Sequence, residues 1–281
     1  MKQFLLLFYC LISISIYGQS DVTPPEILKT GTPIQEFYPY ELNSIQQVTH
    51  DDQGRLYLAS EGQIIRFQGY YHTLAVLDQP VQSIHFADSS LYYGSEKVLG
   101  KIVIDSTESF SAKPFFTKLK AAVTSISESN YGQFILSENE VFHLQDELIK
   151  KYSFPGKVDY LSKINESIIL HDDTNGLSIF VSDKFKIVNN SRFLATMRIV
   201  DIKSTGPGEY IVATENNGLF RYDGELFSPY GRSVLNNKSI VGLEVIIPRE
   251  GQTLEVLVLT KQNEMISLDF SGQEIFRENL D

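Results

Sequence analysis

Short hydrophobic runs separated by polar turns recur along this chain in one repeated order. The run Leu56-Tyr57-Leu58-Ala59 has counterparts at Leu91–Gly94, Phe134–Leu136 and Val256–Leu259. An alternating segment precedes each run, and a turn rich in Asp, Gly, Asn or Pro separates the two. The runs are too short for helices, and their β-branched and aromatic residues favour strands. The pattern therefore predicts buried strands in hairpins.

One unit recurs clearly enough to be aligned with itself. The stretch Gly208–Gly224 has a ragged copy at Gly54–Gly69. Aligned by their first strands, the repeats have hydrophobic anchors at spacings between 35 and 42 residues, close to the period of about 40 to 45 residues of propeller blades. The anchors are Val48, Ile84, Ile126, Leu161, Ile202 and Leu243.

Each repeat continues into a third strand, a hairpin turn such as Asp223-Gly224, and a weaker outer strand. This order predicts an all-β fold, a β-propeller of six four-stranded antiparallel blades, either complete or part of a seven-bladed ring. Only three clear strands follow Ser239 before the C-terminal residues, so Ile34–Tyr38 is predicted to be the outer strand of the last blade. The alternative is that Glu274-Ile275-Phe276 fills that place.

The N-terminal residues have a different character. Lys2 precedes an apolar run from Phe4 to Ile16, too short for a membrane span, and small residues follow at Gly18-Gln19-Ser20. Residues 1–19 are therefore predicted to be a cleaved signal peptide, 20–33 a linker and 34–281 the propeller. The single cysteine, Cys10, lies inside the signal, so the mature protein is expected in the periplasm or outside the cell, without disulfides or a membrane span.

Composition narrows the classes of partner. Hydrophobic residues make up 42% of the chain, with 15 Tyr and 18 Phe, which indicates a packed globule. The net charge of -11 opposes binding to phosphate backbones, so no nucleic-acid partner is predicted.

Two sets of side chains are expected to serve packing. Large rings near the outer strands, among them Phe115, Phe227 and Tyr230, are predicted to fill the space between neighbouring blades. Arg66 and Arg221 occupy one position in two repeats, which indicates a shared structural contact with a neighbouring carbonyl or carboxylate.

The turn Asp51-Asp52-Gln53-Gly54, with Ser60-Glu61-Gly62 and Ile65-Arg66-Phe67, resembles the two-component regulator propeller repeat, as does Ala213–Gly224. That repeat builds the extracytoplasmic sensor regions of bacterial sensor kinases and hybrid two-component systems. Members of the family usually carry a Trp in the second strand, whereas this chain has none and places Tyr57 and Ile211 there.

The resemblance implies a non-catalytic module that senses a ligand or binds a partner. An oligosaccharide or another nutrient-derived molecule is the implied ligand, and a membrane sensor kinase or another protein is the implied partner. In the family, an immunoglobulin-like domain, a membrane helix and an output domain follow the propeller, and none of them appears before Asp281. Two interpretations stay open: the sensory part of a longer or truncated product, and a free binding protein that acts through a partner.

Ligand-binding residues are expected in the turns between second and third strands, where a rigid scaffold holds exposed loops. Carboxylates and amides there offer oxygens to sugar hydroxyls or to a hard cation. The simpler alternative is that turns are polar because they are solvated. The candidates are Glu61, Glu96, Glu138, Asp172, Asp173, Glu215 and Asn216.

No catalytic residue, metal ligand or cofactor is predicted. The five histidines are scattered, and His171-Asp172-Asp173 is the sole local cluster suited to a metal or to acid–base chemistry. The enzymatic alternative is a metal-dependent propeller hydrolase or lactonase, in which Glu61, Asp173 and Asn216 would converge in three dimensions.

Overall fold

The strands of this protein form six separate four-stranded antiparallel sheets, the blade architecture of a β-propeller. In a computed structural model, the residues described are 45–67, 71–87, 90–104, 110–117, 119–145, 148–246 and 254–280. Within each sheet the strands are adjacent in chain order. The sheets are named blades 1 to 6 below, and the predicted signal peptide and linker lie outside the described residues.

Blades 1 and 2 belong to one compact unit, which extends to Leu119. Its eight described strands are β1 (Gln47–His50), β2 (Leu56–Ser60), β3 (Gln63–Phe67), β4 (Tyr71–Val76), β5 (Ser83–Ala87), β6 (Ser90–Gly94), β7 (Leu99–Ile104) and β8 (Phe110–Phe116).

Blades 3 to 6 belong to a second compact unit, which begins at Lys120. Blades 3 and 4 contain β9 (Val123–Ser129), β10 (Gly132–Ser137), β11 (Glu140–Gln145), β12 (Leu148–Ser153), β13 (Val158–Ile164), β14 (Ser167–Asp172), β15 (Gly176–Val181) and β16 (Lys184–Ile187). Blades 5 and 6 contain β17 (Ile199–Gly206), β18 (Glu209–Thr214), β19 (Gly218–Tyr222), β20 (Phe227–Tyr230), β21 (Ile240–Ile246), β22 (Glu255–Thr260), β23 (Glu264–Leu268) and β24 (Glu274–Asn279). A 3₁₀ helix at Arg192–Thr196 precedes blade 5, and a short helix, α1 (Arg232–Leu235), precedes blade 6.

Each hydrophobic core lies between two consecutive blades. Ile84 of blade 2 is buried with Ile64 of blade 1, and Leu243 of blade 6 with Ile211 of blade 5. Similar clusters join blades 3 and 4, and blades 4 and 5. The predicted anchors all fall in first strands, so the alignment of the repeats is confirmed. Stacking buries both faces of a sheet that has no core of its own.

Of the rings predicted to pack between blades, Tyr230 is buried in the cluster of blades 5 and 6 and Phe227 packs against that of blades 4 and 5, whereas Phe115 is 41% exposed.

Other rings fill the space between blades 3 and 4. Phe134 is fully buried, stacks on His143 with ring centroids 4.2 Å apart, and meets Phe180 edge-on at 4.7 Å. Phe185 of β16 contacts both phenylalanines. Edge-to-face pairs of this kind stabilise a core beyond their buried area, and here they fill the space without a tryptophan.

A hydrogen bond at one level links the first strands of successive blades. In three described pairs of blades, the side chain of the residue that precedes the anchor forms a hydrogen bond with the backbone of the anchor in the next blade. The Gln47 side chain accepts from Ile84 N at 2.9 Å, and the Ser125 hydroxyl donates to Leu161 O at 3.0 Å. The Tyr160 hydroxyl accepts from Ile202 N at 3.0 Å. These bonds fix the register between neighbouring sheets, which apolar packing alone leaves free to slide.

A buried polar residue ends the second strand or directly follows it in every blade. In several blades the side chain of this residue forms a hydrogen bond with the turn, as when the Thr214 hydroxyl donates to Gly218 O. In blade 3 the Ser137 hydroxyl donates instead to Ala121 O, in the segment that leads into the blade. Ser, Thr and Asp satisfy nearby backbone groups in this way, which explains the recurring Ser/Thr/Asp before each polar turn. The six residues are Ser60, Ser95, Ser137, Asp172, Thr214 and Thr260.

The outer strand of the last blade is β24, which pairs antiparallel with β23. The prediction that Ile34–Tyr38 holds this place is therefore wrong, and the alternative, Glu274-Ile275-Phe276, is confirmed. The reason is local: the Asp269 carboxylate accepts from the backbone N–H groups of Ser271 and Gln273 and turns the chain back along β23. Residues 34–38 themselves lie outside the described residues.

The outer strand of blade 5 begins only after a turn that the Asp223 carboxylate holds. Glu225 and Leu226 lie in the turn, because their N–H groups bond the Asp223 carboxylate at 3.0 and 2.8 Å. The strand then runs from Phe227 to Tyr230.

Replacing Asp172 by Ala is expected to lower the free energy of unfolding by about 2 to 3 kcal/mol, because hydrogen bonds to a buried charged group are lost. The Asp172 carboxylate accepts from Thr174 N at 3.0 Å and Asn175 N at 2.8 Å. Urea denaturation followed by circular dichroism measures the change. The matched control is Asp173→Ala at the neighbouring exposed position, and equal losses in both variants would contradict the assigned role.

Candidate functional site

The predicted ligand-binding residues lie at equivalent places in their blades. In each blade the residue after the buried polar residue leads into the turn between the second and third strands. Five of these positions carry a carboxylate and the sixth carries Lys261, and all are exposed except the half-buried Glu215. The carboxylates are Glu61, Glu96, Glu138, Asp173 and Glu215.

Two of these carboxylates sit on left-handed backbone. Glu61 has φ of 39° and Glu138 has φ of 57°. Each lies in a two-residue hairpin turn, between the paired residues Ser60 and Gln63 in blade 1, and between Ser137 and Glu140 in blade 3. Gly and Asn adopt this conformation at lower cost than Glu, so the turns hold carboxylates where local preference favours other residues.

Asp172 does not belong to the exposed set. It is fully buried, and both its oxygens face the turn: the Asn175 side-chain amide is 3.2 Å from Oδ1 and 3.4 Å from Oδ2. The fold uses this carboxylate to hold the turn, so its placement does not support the prediction that Asp172 binds a ligand. Asp173 is exposed, and its Oδ1 accepts from Lys157 N at 2.9 Å.

Glu215 is the candidate with a basic neighbour. Its Oε2 lies 3.4 Å from Nη1 of Arg198, whose side chain is 73% exposed, so water weakens the pair. Asn216 is exposed. Across different blades, no hydrogen bond or ion pair joins one candidate to another in the described part of the chain.

Sequence reasoning missed a row of polar side chains on the first strands of blades 4 to 6. The Tyr160 hydroxyl donates to Asp201 Oδ1 at 2.9 Å. Lys203 Nζ lies 3.3 Å from Asp201 Oδ2 and 3.0 Å from Glu244 Oε2. These residues flank the predicted anchors, so the alignment already contained the signal, but strand pattern alone does not show which side chains meet.

Asp201 carries the clearest electrostatic perturbation of the row. Burial raises the pKa of its carboxyl group above the ordinary 3.8, although Lys203, Tyr160 and Ile202 N oppose that shift. Burial also raises the pKa of Tyr160 well above its ordinary value. The hydrogen bond between Tyr160 of blade 4 and Asp201 of blade 5 makes the row a structural link between blades.

His171 is a second buried link. Its Nδ1 lies 2.6 Å from Asp159 Oδ1, and its Nε2 lies 2.9 Å from Leu194 O. The imidazole ring thus lies between the Asp159 carboxylate and the backbone carbonyl of Leu194. Blade 4 is thereby tied to the 3₁₀ helix, and the cluster His171-Asp172-Asp173 does not point three ligands at one place. No group of three or more His, Cys, Asp or Glu residues suited to a metal occurs among the described residues.

The two arginines share a contact with an aromatic ring, whereas the predicted contact with a carboxylate is found for Arg221. Arg221 lies over the Phe270 ring, 4.0 Å from its centroid, and Nη2 is 3.1 Å from Glu209 Oε2. Arg66 lies over the Phe110 ring at 5.3 Å. In both cases the side chain reaches from a third strand to an aromatic ring of the following blade.

Comparison with solved structures supports the propeller fold. The extracellular domain of the hybrid two-component system BT4673 from B. thetaiotaomicron matches with a TM-score of 0.64 at 14% identity, over 87% of this chain and 34% of that one. This chain therefore spans about a third of that protein's length. At this identity the likeness concerns the fold alone.

Two further structures share the architecture. The WD40 β-propeller domain of Doa1 matches with a TM-score of 0.58 at 10% identity, covering 84% of this chain and 82% of that one. YCF48 bound to D1 peptide matches with a TM-score of 0.60 at 12% identity, covering 83% and 82%. No family model and no curated protein sequence matches this chain. Within the described residues, no helix is long and apolar enough to cross a membrane.

Replacing Asp201 by Asn is expected to change how stability depends on pH. Because the folded-state pKa of Asp201 is raised, the folded protein holds its proton to a higher pH than the unfolded chain, so its contribution is present below pH 3.8 and is lost as pH rises from there through the folded-state pKa. Asp201→Asn removes this loss, and the variant should gain stability relative to the wild type with rising pH. Urea midpoints across this range measure the difference.

Asp223→Asn supplies a control of opposite sign. Hydrogen bonds from Leu226 N and Glu225 N lower the pKa of Asp223, so its contribution is lost as pH falls and the variant should lose stability relative to the wild type as pH rises. If the difference in stability between Asp201→Asn and the wild type did not change with pH, the result would show that the Asp201 carboxylate is freely hydrated.

Proposed function

We propose that this protein is an exported, non-catalytic propeller that binds a small ligand or a partner, like the sensor regions of two-component systems. The proposal rests on one observation: in five blades a carboxylate directly follows the buried polar residue of the turn. In three of these blades the buried residue, Ser95, Asp172 or Thr214, bonds its own turn, and the carboxylate that follows can contact a ligand.

Backbone cost supports a binding role for these carboxylates. Glu61 and Glu138 occupy left-handed backbone, where a non-Gly, non-Asn residue is disfavoured. A purely solvated turn gains nothing from Glu at such a position. An oligosaccharide is the proposed ligand class, since carboxylate oxygens accept hydrogen bonds from hydroxyl groups. A membrane sensor kinase or another protein is the proposed partner that passes on the signal.

Fold similarity adds context to the proposal. The solved relatives named above include an extracellular domain of a two-component system and a propeller bound to a peptide. Because a propeller hosts many functions, these likenesses agree with a binding module without identifying its ligand.

Titration calorimetry against a panel of neutral oligosaccharides, with and without CaCl₂, tests the proposal. We expect at least one oligosaccharide to bind without being consumed. Asp173→Asn and Glu215→Gln should weaken binding about tenfold each, because a hydrogen bond to a charged group contributes about 1.5 to 3 kcal/mol.

Glu166→Gln is the matched control, since Glu166 is exposed in the turn at the other end of blade 4. Equal weakening by this control, or no binding to any oligosaccharide, would contradict the proposed site. Metal-dependent hydrolysis of a bound sugar would instead favour the enzymatic alternative.

Glu138→Asn separates binding from folding. We expect this variant to keep or slightly raise the free energy of unfolding, by up to about 1 kcal/mol, because Asn tolerates left-handed backbone. The same change should weaken oligosaccharide binding in calorimetry. A variant that is more stable and binds equally well would show that Glu138 is only a solvated turn residue.

A further inference from the structure

An open groove runs along the outer strand of blade 1. It lies between β4 and β8 and has a volume of about 430 Å³. Main-chain polar atoms and mostly apolar side chains line it, from Thr73, Leu74, Ala75, Val76, Leu77, Phe110 and Ala112. Val76 is 73% exposed, whereas Leu74 is buried by a bulge in the pairing of β3 with β4. The groove therefore joins a strand edge to an accessible apolar surface.

Strand β4 differs from the other outer strands in its side chains. Exposed edge strands usually carry charges or proline, which prevent another strand from adding to the sheet. Lys113 and Pro114 occupy β8, lysines occupy β12 and β16, Pro229 occupies β20, and three charged residues occupy β24. In contrast, β4 reads Tyr-His-Thr-Leu-Ala-Val, with no Lys, Arg, Asp, Glu or Pro.

The edge of β4 has no strand partner among the described residues. It stands at the end of the order β1-β2-β3-β4, so its outward N–H and C=O groups face away from the sheet. An extended peptide adds to such an edge through main-chain hydrogen bonds, and its alternate side chains enter neighbouring pockets.

Beside Phe110, which lines the groove, lies a cation that pairs with no carboxylate among the described residues. Arg66 and His72 both contact the Phe110 ring, at 5.3 and 5.7 Å between centres. The equivalent Arg221 of blade 5 pairs with Glu209, but blade 1 has Arg55 at the position of Glu209, and Arg55 pairs with Asp51. Among the described residues, no carboxylate forms an ion pair with Arg66.

We propose that the β4 edge and its groove bind an extended segment of a protein partner. The segment carries apolar side chains at alternate positions, which enter the groove beside Val76 and Ala112, and a carboxylate that pairs with Arg66. One end of the groove adjoins the turn of Glu61, because Leu77 N donates to Gly62 O at 2.7 Å. The peptide probes and the variants at Val76 and Arg66 differ from those of the small-ligand proposal, so either proposal can fail alone.

Fluorescence anisotropy with labelled synthetic peptides tests the proposal. The probe is a short peptide in which Val and Thr alternate and one terminal position is Glu. Matched peptides replace that Glu by Gln or place Pro in the centre. We expect the Glu peptide to bind about tenfold more tightly than the Gln peptide, with the difference reduced by salt, and the Pro peptide not to bind.

Two variants locate the peptide on the protein. Val76→Lys puts a charge on the exposed edge and should abolish measurable binding, whereas Ile187→Lys, at a 58% exposed position on the outer strand of blade 4, should leave binding unchanged. Arg66→Gln should remove the preference for Glu over Gln, and Arg221→Gln should retain it. Circular dichroism melts show whether each variant is folded.

Several results would overturn the proposal. Equal affinity for the Glu and Gln peptides would remove the role of Arg66, and equal effects of Val76→Lys and Ile187→Lys would place the peptide elsewhere. A wild-type dimer that Val76→Lys converts to a monomer would show that a second copy of this chain occupies the edge. Peptide binding that appears only after residues 1–44 are deleted would assign the edge to the chain's own N-terminal segment.

Discussion

Every sheet in this protein has two apolar faces, and neither can be buried within the sheet itself. The hydrophobic clusters accordingly lie between consecutive blades. Apolar packing gives the attraction between sheets but not their relative height, because hydrophobic contact has no direction. Hydrogen bonds are directional, and those between the side chains of Gln47, Ser125 and Tyr160 and the backbone of the next blade fix the relative height of the sheets. Register in the stack therefore depends on a few polar side chains at one repeated position.

The same division of roles appears in the turns. In several blades a buried Ser, Thr or Asp satisfies the turn, and the residue that follows it is exposed or half-buried. This explains how a degenerate repeat keeps its fold while its exposed positions vary from Glu to Asp to Lys. It also explains why Asp172 and Asp173, adjacent in sequence, have different roles: one carboxylate holds the backbone and the other faces solvent.

Differences between equivalent blades are as informative as their similarities. Arg221 and Arg66 both lie over an aromatic ring. Arg221 also pairs with Glu209, whereas blade 1 has Arg55 at the position equivalent to Glu209. The outer strands show the same divergence, since β4 lacks the charges and prolines of the other five. Because the blades share one architecture, equivalent positions can be compared directly. A position that differs in one blade alone is a candidate for a role specific to that blade.

The sequence by itself determined the period, the strand order within a blade and the position of the first-strand anchors, because alternating apolar residues and Gly-containing turns act locally. It also located the turns that carry the candidate carboxylates. Only the tertiary structure decided which polar side chains are consumed by the fold, as with Asp172 and His171, and which strand ends the last blade. The role of His171 depends on a contact with Leu194, and the link between blades 4 and 5 depends on Tyr160 with Asp201, so residues far apart in the chain meet and no local pattern encodes them. The last strand and Asp172 are fixed by side chains that hold nearby turns, and a pattern of polar residues does not show which oxygen accepts which N–H group.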